Sequence, residues 1–458
     1  MTESSAIASI RAEPSSDELR LSFANTCEAS DPERAELIRL QCKLANNEAS
    51  ANSASDRKID AARVKALLAE NIERWVGPDW EAVRFPNFTR GFLEEVEFSP
   101  DADPAVLTRL LALHPIRDLL FTDDLMEDQP DLIASQLERW AAAPVLGRME
   151  SLKSEEAEIG AAGWRVLLES PHKDQLRALE LSDHDSNPEV AAAIAAAPMQ
   201  QVQQIRFVGH MAASLGDAGV QLLASSPNLS GLLALDLWNC RCGSGAAQAI
   251  ASSEHLHRLE RLHFGGGSYA TNELGPEGGQ ALGSAAHLRQ LRVLNLDFNS
   301  LTDDGAGPIP ESEGLPALEV LSLQANELTN VSVRCFMSAH QRLPKLRALN
   351  LAHNDIDGGG AEFLAGCKLM EQLDELSLYH NNVGPSGVYA LCNSFKTTSL
   401  KRLNLTQNPL GAESAKVADA LIQSPALQGL EQLDIERCQL EDGDRQRLRE
   451  HFGARVRS

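Results

Sequence analysis

The apolar positions of this chain recur in a fixed phrase, clearest in its last third. Leu346-Arg347-Ala348-Leu349-Asn350-Leu351-Ala352-His353-Asn354 is followed by Leu373-Asp374-Glu375-Leu376-Ser377-Leu378-Tyr379-His380-Asn381, then by Leu400-Lys401-Arg402-Leu403-Asn404-Leu405-Thr406-Gln407-Asn408. The frame L-x-x-L-x-L-x-x-N returns about every 27 residues. Its second and third leucines alternate with polar residues, the period of a strand with one buried face. The asparagine at the ninth place can satisfy backbone groups where the chain turns. Cys240 and Cys438 hold that place in two units, and a thiol is the weaker donor. Small and apolar stretches follow, such as Gly360-Ala361-Glu362-Phe363-Leu364-Ala365 and Gly387-Val388-Tyr389-Ala390-Leu391, and their spacing of three and four predicts helices. Ser226-Pro227-Asn228-Leu229 and Ser424-Pro425-Ala426-Leu427 end such helices and lead into the next strand.

Followed along the chain, the frame starts at Leu93, Ile116, Leu146, Leu176, Val202, Leu232, Leu259, Leu291, Leu318, Leu346, Leu373, Leu400 and Leu430, thirteen units. Leu146 is the poorest match, because Met149 and Ser151 fill its next two apolar places. The Leu259 unit carries an insertion, Gly265 to Pro276, and has no Asn in frame; the Leu291 unit ends in Pro308-Ile309-Pro310, which cannot continue a helix. The pattern resembles leucine-rich repeats of the ribonuclease-inhibitor class. The fold class this implies is α/β: a solenoid, horseshoe-shaped, with a parallel inner sheet and outer helices. It is expected over residues 83–440, with a capping helix and tail over 441–458 whose polar face seals the open end.

Residues 1–15 read as a disordered leader, and 16–82 as a helical domain. A first helix is expected from Ser16 to Ala29. A second opens on Asp31-Pro32, a cap with proline at the first helical position. After a small-residue linker, Asn46 to Ser55, a third begins near Asp56, places Val64, Leu67, Leu68, Ile72 and Trp75 on one face, and stops at Gly77-Pro78. The phrases Glu18-Leu19-Arg20-Leu21-Ser22-Phe23-Ala24 and Asp31-Pro32-Glu33-Arg34-Ala35-Glu36-Leu37-Ile38-Arg39-Leu40-Gln41-Cys42 resemble the bacterial, planctomycete-type repeat-companion domain. So does the joining phrase Phe88-Thr89-Arg90-Gly91-Phe92-Leu93-Glu94-Glu95-Val96. Ala24-Asn25-Thr26-Cys27 stands where that family has an Ala-Asp-Trp-Leu-like stretch. The resemblance implies a bacterial, cytoplasmic repeat protein and carries no chemistry with it.

Composition narrows the function. No apolar run reaches the roughly 20 residues of a membrane-spanning helix, and the N-terminus lacks the pattern of a secretory signal. The eight cysteines are scattered, as reduced core thiols are. Net charge is −24. Residues 91–190 carry 22 acidic and 8 basic side chains, net −14, a field that repels nucleic acid and anionic lipid and attracts basic protein surface. Gly265-Gly266-Gly267-Ser268 lacks the lysine of a phosphate loop. It and Gly275-Pro276-Glu277-Gly278-Gly279 read as loop insertions. Glu254-His255-Leu256-His257 offers no third ligand for zinc, and Asp183-His184-Asp185 reads as a solvated loop. No nucleophile elbow is present, and no cofactor or metal site is expected.

The third, fifth and seventh places of each frame face away from the core. They nominate Glu95, Glu97, Asp118 and Glu180 as an acidic stretch, then Asp236, Trp238, His263 and Asp297, and finally Tyr379, with His380 at the rim. Trp238 and Tyr379 are outward aromatics in a chain of only 5% aromatic content, and such residues are favoured binding anchors. The reading is a non-catalytic scaffold binding a protein partner with a basic surface on its concave face. The alternatives are a regulator of an enzyme or GTPase, and an enzyme of unknown type.

Overall fold

A computed structural model describes residues 3–46, 54–122, 130–155, 158–209, 214–267, 272–394 and 399–458. The chain divides into two compact units, Met1–Leu181 and Ser182–Ser458. The division falls within the repeats.

In the first unit, helix α1 spans Glu3–Ala12 and buries Ala6, Ile7 and Ile10. The expected disordered leader is therefore a short amphipathic helix, held by apolar contacts with Phe23, Ala24 and Ile38. Helix α2 spans Asp17–Cys27, with the Ser16 side chain accepting the Leu19 N–H. Helix α3 spans Pro32–Ala45 with Asp31 as its cap, and α4 spans Ala54–Val76. Gly77 follows at φ +100°, a left-handed stop that suits glycine. The expected 46–55 linker lies, apart from its ends, outside the described residues.

These helices grip the entry to the repeats. A short antiparallel pair, β1 (Phe88–Thr89) and β2 (Phe92–Leu93), turns at Gly91, whose φ is +90° and whose Cβ, if present, would lie 2.1 Å from Ile38 Cγ1. Gln41 of α3 donates to the Phe88 carbonyl at 2.6 Å and accepts the Gly91 N–H at 2.6 Å. Arg34 is buried with its guanidinium 4.7 Å from the Phe88 ring centroid and 5.1 Å from that of Phe92. Burial lowers its pKa to about 9. Arg20, wholly buried, pairs with Glu94 at 2.8 Å. The helical phrases Glu18–Ala24 and Asp31–Cys42 and the joining phrase Phe88–Val96 are thus two sides of one contact.

His114 closes this joint. Its Nδ1 accepts the Leu93 N–H at 3.4 Å and its Nε2–H donates to the Trp75 carbonyl at 2.9 Å, which fixes the neutral ring. Burial, then the nearby Arg34, lowers its pKa to about 3. The unfolded chain takes up this proton near pH 6.5 and the folded one does not, so stability falls as pH drops through that window. Between pH 6.5 and 5 the loss from this group is about 2 kcal/mol. Urea midpoints at both pH values, for the native chain and His114→Gln, check this: the variant should lack that part of the slope. Equal slopes would mean that the ring titrates normally.

The first unit continues with parallel strands β3 (Glu95–Phe98), β4 (Asp118–Phe121), β5 (Ser151–Ser154) and β6 (Ala178–Ser182). The second holds β7 (Gln204–Val208), β8 (Ala234–Trp238), β9 (Arg261–His263), β10 (Val293–Asn295), β11 (Val320–Ser322), β12 (Ala348–Asn350), β13 (Glu375–Ser377), β14 (Arg402–Asn404), β15 (Gln432–Asp434) and β16 (Val456–Arg457), likewise parallel. Each unit is a leucine-rich-repeat solenoid with one strand per repeat, and short helices cover the buried side. Within the second unit the middle leucines align across neighbouring strands: Leu294, Leu321, Leu349, Leu376, Leu403 and Leu433. All are at most 2% exposed.

Three expectations need correction. The third repeat starts at Met149, not Leu146: Met149 and Leu152 are buried, as is Ser154, which fills the third apolar slot. Leu146 lies in a 3-10 turn, Pro144–Arg148, which the proline opens. Gly275–Gly283 is a helix, not a loop. Its glycines permit close packing, since a Cβ at Gly279 would lie 2.4 Å from the Gly305 carbonyl oxygen. Asp185 is buried, not solvated. The tail adds β16 after the helix Asp442–Phe452.

The ninth place works as a ladder. Asn354 donates to the carbonyls of Leu323, Leu351 and Ala352 and accepts the N–H groups of Asn326 and Leu328, all at 3.0 Å. Asn326, Asn381 and Asn408 repeat this bridging. In the Leu259 repeat Asn272, beyond the insertion, takes the role, donating to Leu237 and Phe264 carbonyls. Cys240 and Cys438 donate to the Phe207 and Leu405 carbonyls. Burial pushes these thiols up to about 12 and about 11, so they stay protonated donors. The eighth place turns the chain through the left-handed region at Asn239, Phe298, Ala325, His353, His380, Gln407 and Arg437. That is an uncommon conformation for side-chain-bearing residues, held here by the ladder beside it.

Candidate functional site

Within each unit the strand side chains that do not enter the core form an open face. In the first unit, register aligns Glu95, Asp118, Ser151 and Ala178, and next to them Glu97, Leu120, Lys153 and Glu180. This brings the four nominated acids together, with Lys153 among them. Lys153 hydrogen-bonds Glu95 and lies 3.9 Å from Asp118 and 4.0 Å from Glu180. Burial opposes its charge, but the three carboxylates outweigh that and raise its pKa. Burial also raises the pKa of Asp118, against the pull of Lys153 and Arg117. Glu97 accepts from Thr122 at 2.6 Å and meets Arg84 at 3.4 Å. The face is acidic but partly neutralised. Lys153 escaped sequence reasoning because a frame begun at Leu146 puts it out of phase; starting from Met149 recovers it.

In the second unit Asp236, Trp238, His263 and Asp297 gather on β8 to just past β10. Asp236 Oδ2 is 3.4 Å from Arg206 Nε and 3.8 Å from His263 Nδ1. Trp238 is 37% exposed, and its ring lies over Gly265, where a Cβ would sit 2.8 Å from Cζ3. The Gly265–Gly267 segment is held in place: Asn239 N–H donates to the Gly265 carbonyl, and Gly267 N–H donates to Asn239 Oδ1 at 2.9 Å. Asp297 accepts from Ser322 Oγ at 2.5 Å, the Gln324 N–H at 2.8 Å and Asn295 Nδ2 at 3.1 Å. Burial nonetheless raises its pKa. Tyr379 and His380 stand apart from this group, three strands further along. Tyr379 is half-buried and packs edge-on against His353, centroids 4.6 Å apart; His353 also contacts His380 at 4.4 Å. His380 is exposed. Among the described residues no group of three or more His, Cys, Asp or Glu is arranged to hold a metal ion. No described helix is long and apolar enough to cross a membrane.

Comparison with known proteins supports the repeat class. A leucine rich repeat family model matches residues 289–356, and a second matches 373–392 and 396–417. The chain is 36% identical over 150 residues to leucine-rich repeat-containing protein 73 of Rattus norvegicus and of Homo sapiens, covering 31% of this chain and 46% of each relative. The match therefore spans less than half of those relatives. It is 36% identical over 85 residues to the NACHT, LRR and PYD domains-containing protein 4B of Mus musculus, 18% of this chain and 10% of that one. A solved structure of the Rad7 and Elc1 complex in yeast is similar at 18% identity, with 73% of each chain covered and a TM-score of 0.41. The chain contains leucine-rich repeats, a class that commonly serves as a protein-interaction scaffold, and these relatives are eukaryotic.

Proposed function

We propose that this chain is a non-catalytic scaffold that binds a protein partner on the open sheet face. The acids of its first unit draw in a basic surface on that partner. The observation that carries this reading is the register-aligned set Glu95, Glu97, Asp118 and Glu180, with Lys153 as a central counter-charge. Glu95 and Glu180 keep 41% and 34% of their side-chain surface exposed. The N-terminal helices cap the first repeat, and the protein works in the cytoplasm.

The test is the salt dependence of association with a partner captured from the native cell. The Debye length falls from about 10 Å at 0.1 M to about 3 Å at 1 M salt, so the association rate should fall by about tenfold or more. Glu95→Lys with Glu180→Lys should remove most of that dependence. A rate indifferent to salt and to both substitutions would overturn the electrostatic reading.

A further inference from the structure

In the seventh place, three successive repeats of the second unit carry Trp238, Gly265 and Asp297. Neighbouring strands lie about 4.8 Å apart, so the backbone positions of Trp238 and Asp297 are about 10 Å apart, a distance the indole leans across. Glycine is required between them: the indole leans over Gly265, with Asn295 Oδ1 3.2 Å from where a Cβ would stand. One face of the ring is thereby backed by the glycine segment. The ring keeps more than a third of its surface exposed.

Beside the indole stands a carboxylate without a guanidinium or ammonium partner. Asp297 accepts three hydrogen bonds from neutral donors, and burial raises its pKa despite them and despite the nearby His263. No Lys or Arg among the described residues is placed within ion-pair distance of it, whereas Asp236 has Arg206. An aromatic face beside such a carboxylate suits a planar cation, which stacks on the ring and hydrogen-bonds the acid. A lysine ammonium would take the charge without the stacking plane.

We propose that the outward face of the Trp238 indole, where it lies over Gly265 beside Asp297, seats an arginine side chain of a protein partner. The Gly265–Gly267 segment acts as the shelf that fixes the indole for it. This rests on the reading that the open sheet face binds protein, and it names the side chain that the second unit recognises. Fixing the ring in advance removes part of the ordering cost of binding.

The test uses the full chain labelled with 5-fluorotryptophan, whose five tryptophans give separate fluorine resonances; Trp238→Phe assigns the one of interest. The probes are N-acetyl-arginine methylamide and its neutral isostere, N-acetyl-citrulline methylamide. The arginine probe should shift the Trp238 resonance saturably in the millimolar range, the citrulline probe at least about five-fold more weakly. Asp297→Asn, nearly isosteric, should weaken the arginine probe by a similar factor, about five-fold. Gly265→Ala should displace the ring and abolish the response. Equal shifts from citrulline, an unchanged titration in Asp297→Asn, or no shift from arginine would each overturn the proposal. None of those results touches the scaffold reading, which stands or falls on the partner complex and the acids of the first unit.

Discussion

Glu94→Ala should destabilise the first unit by about 3–5 kcal/mol, the cost of leaving a buried charge without its partner. Glu94 lies where the joining phrase enters β3 and bridges two guanidinium groups. Arg20 is 2.8 Å away and has no exposed side-chain surface; Arg117 is 2.9 Å away and 22% exposed. Arg20 keeps its bond to the Pro14 carbonyl but cannot reach water, and its ring neighbour Phe92, at 5.9 Å, cannot replace a carboxylate. Glu94→Gln keeps the acceptor and loses the charge, so its loss should be smaller. Urea unfolding followed by tryptophan fluorescence measures both, because Trp75 and Trp140 lie in this unit. A loss below about 1 kcal/mol for Glu94→Ala, the range of solvent-screened surface pairs, would mean that Arg20 finds solvent after all.

Leu376→Ala should cost roughly 2–5 kcal/mol, the range for a large-to-small change in a core that cannot collapse. Leu376 is 2% exposed and sits in register between Leu349 and Leu403. The strands on both sides are fixed by the asparagine ladder, so the cavity has little freedom to close. The midpoint of the second unit's transition should move and that of the first should not. A loss under about 0.5 kcal/mol would place this residue on the solvent side and invalidate the register.

That register was legible from the sequence because a strand of period two and an asparagine at the ninth place repeat together. It failed at the third repeat, where the apolar phrase Val145-Leu146 inside a 3-10 turn imitates a frame start and Ser154 stands in a slot normally apolar. The same slip hid Lys153, and with it the internal neutralisation of the acidic face. The helix Glu3–Ala12 was missed because so short a segment has no helical stability of its own; tertiary burial of Ile7 and Ile10 supplies it. Asn272 could not be assigned to the ladder from spacing alone, since the insertion breaks the count. The outward positions of Trp238 and the acids followed from strand alternation. What alternation cannot express is which neighbour lies across the strand: that Gly265 backs the indole, or that Arg206 takes Asp236 while Asp297 has no Lys or Arg beside it among the described residues.

A protein partner that covers the open sheet face and meets the acids of the first unit should leave its mark in carboxyl footprinting of the chain, alone and with its captured partner. Labelling of Glu95, Glu97, Asp118 and Glu180 should fall in the complex, while Glu189 and Glu362, exposed on outer helices, label as before. Protection of Glu189 or Glu362 with the four acids unchanged would contradict binding on that face.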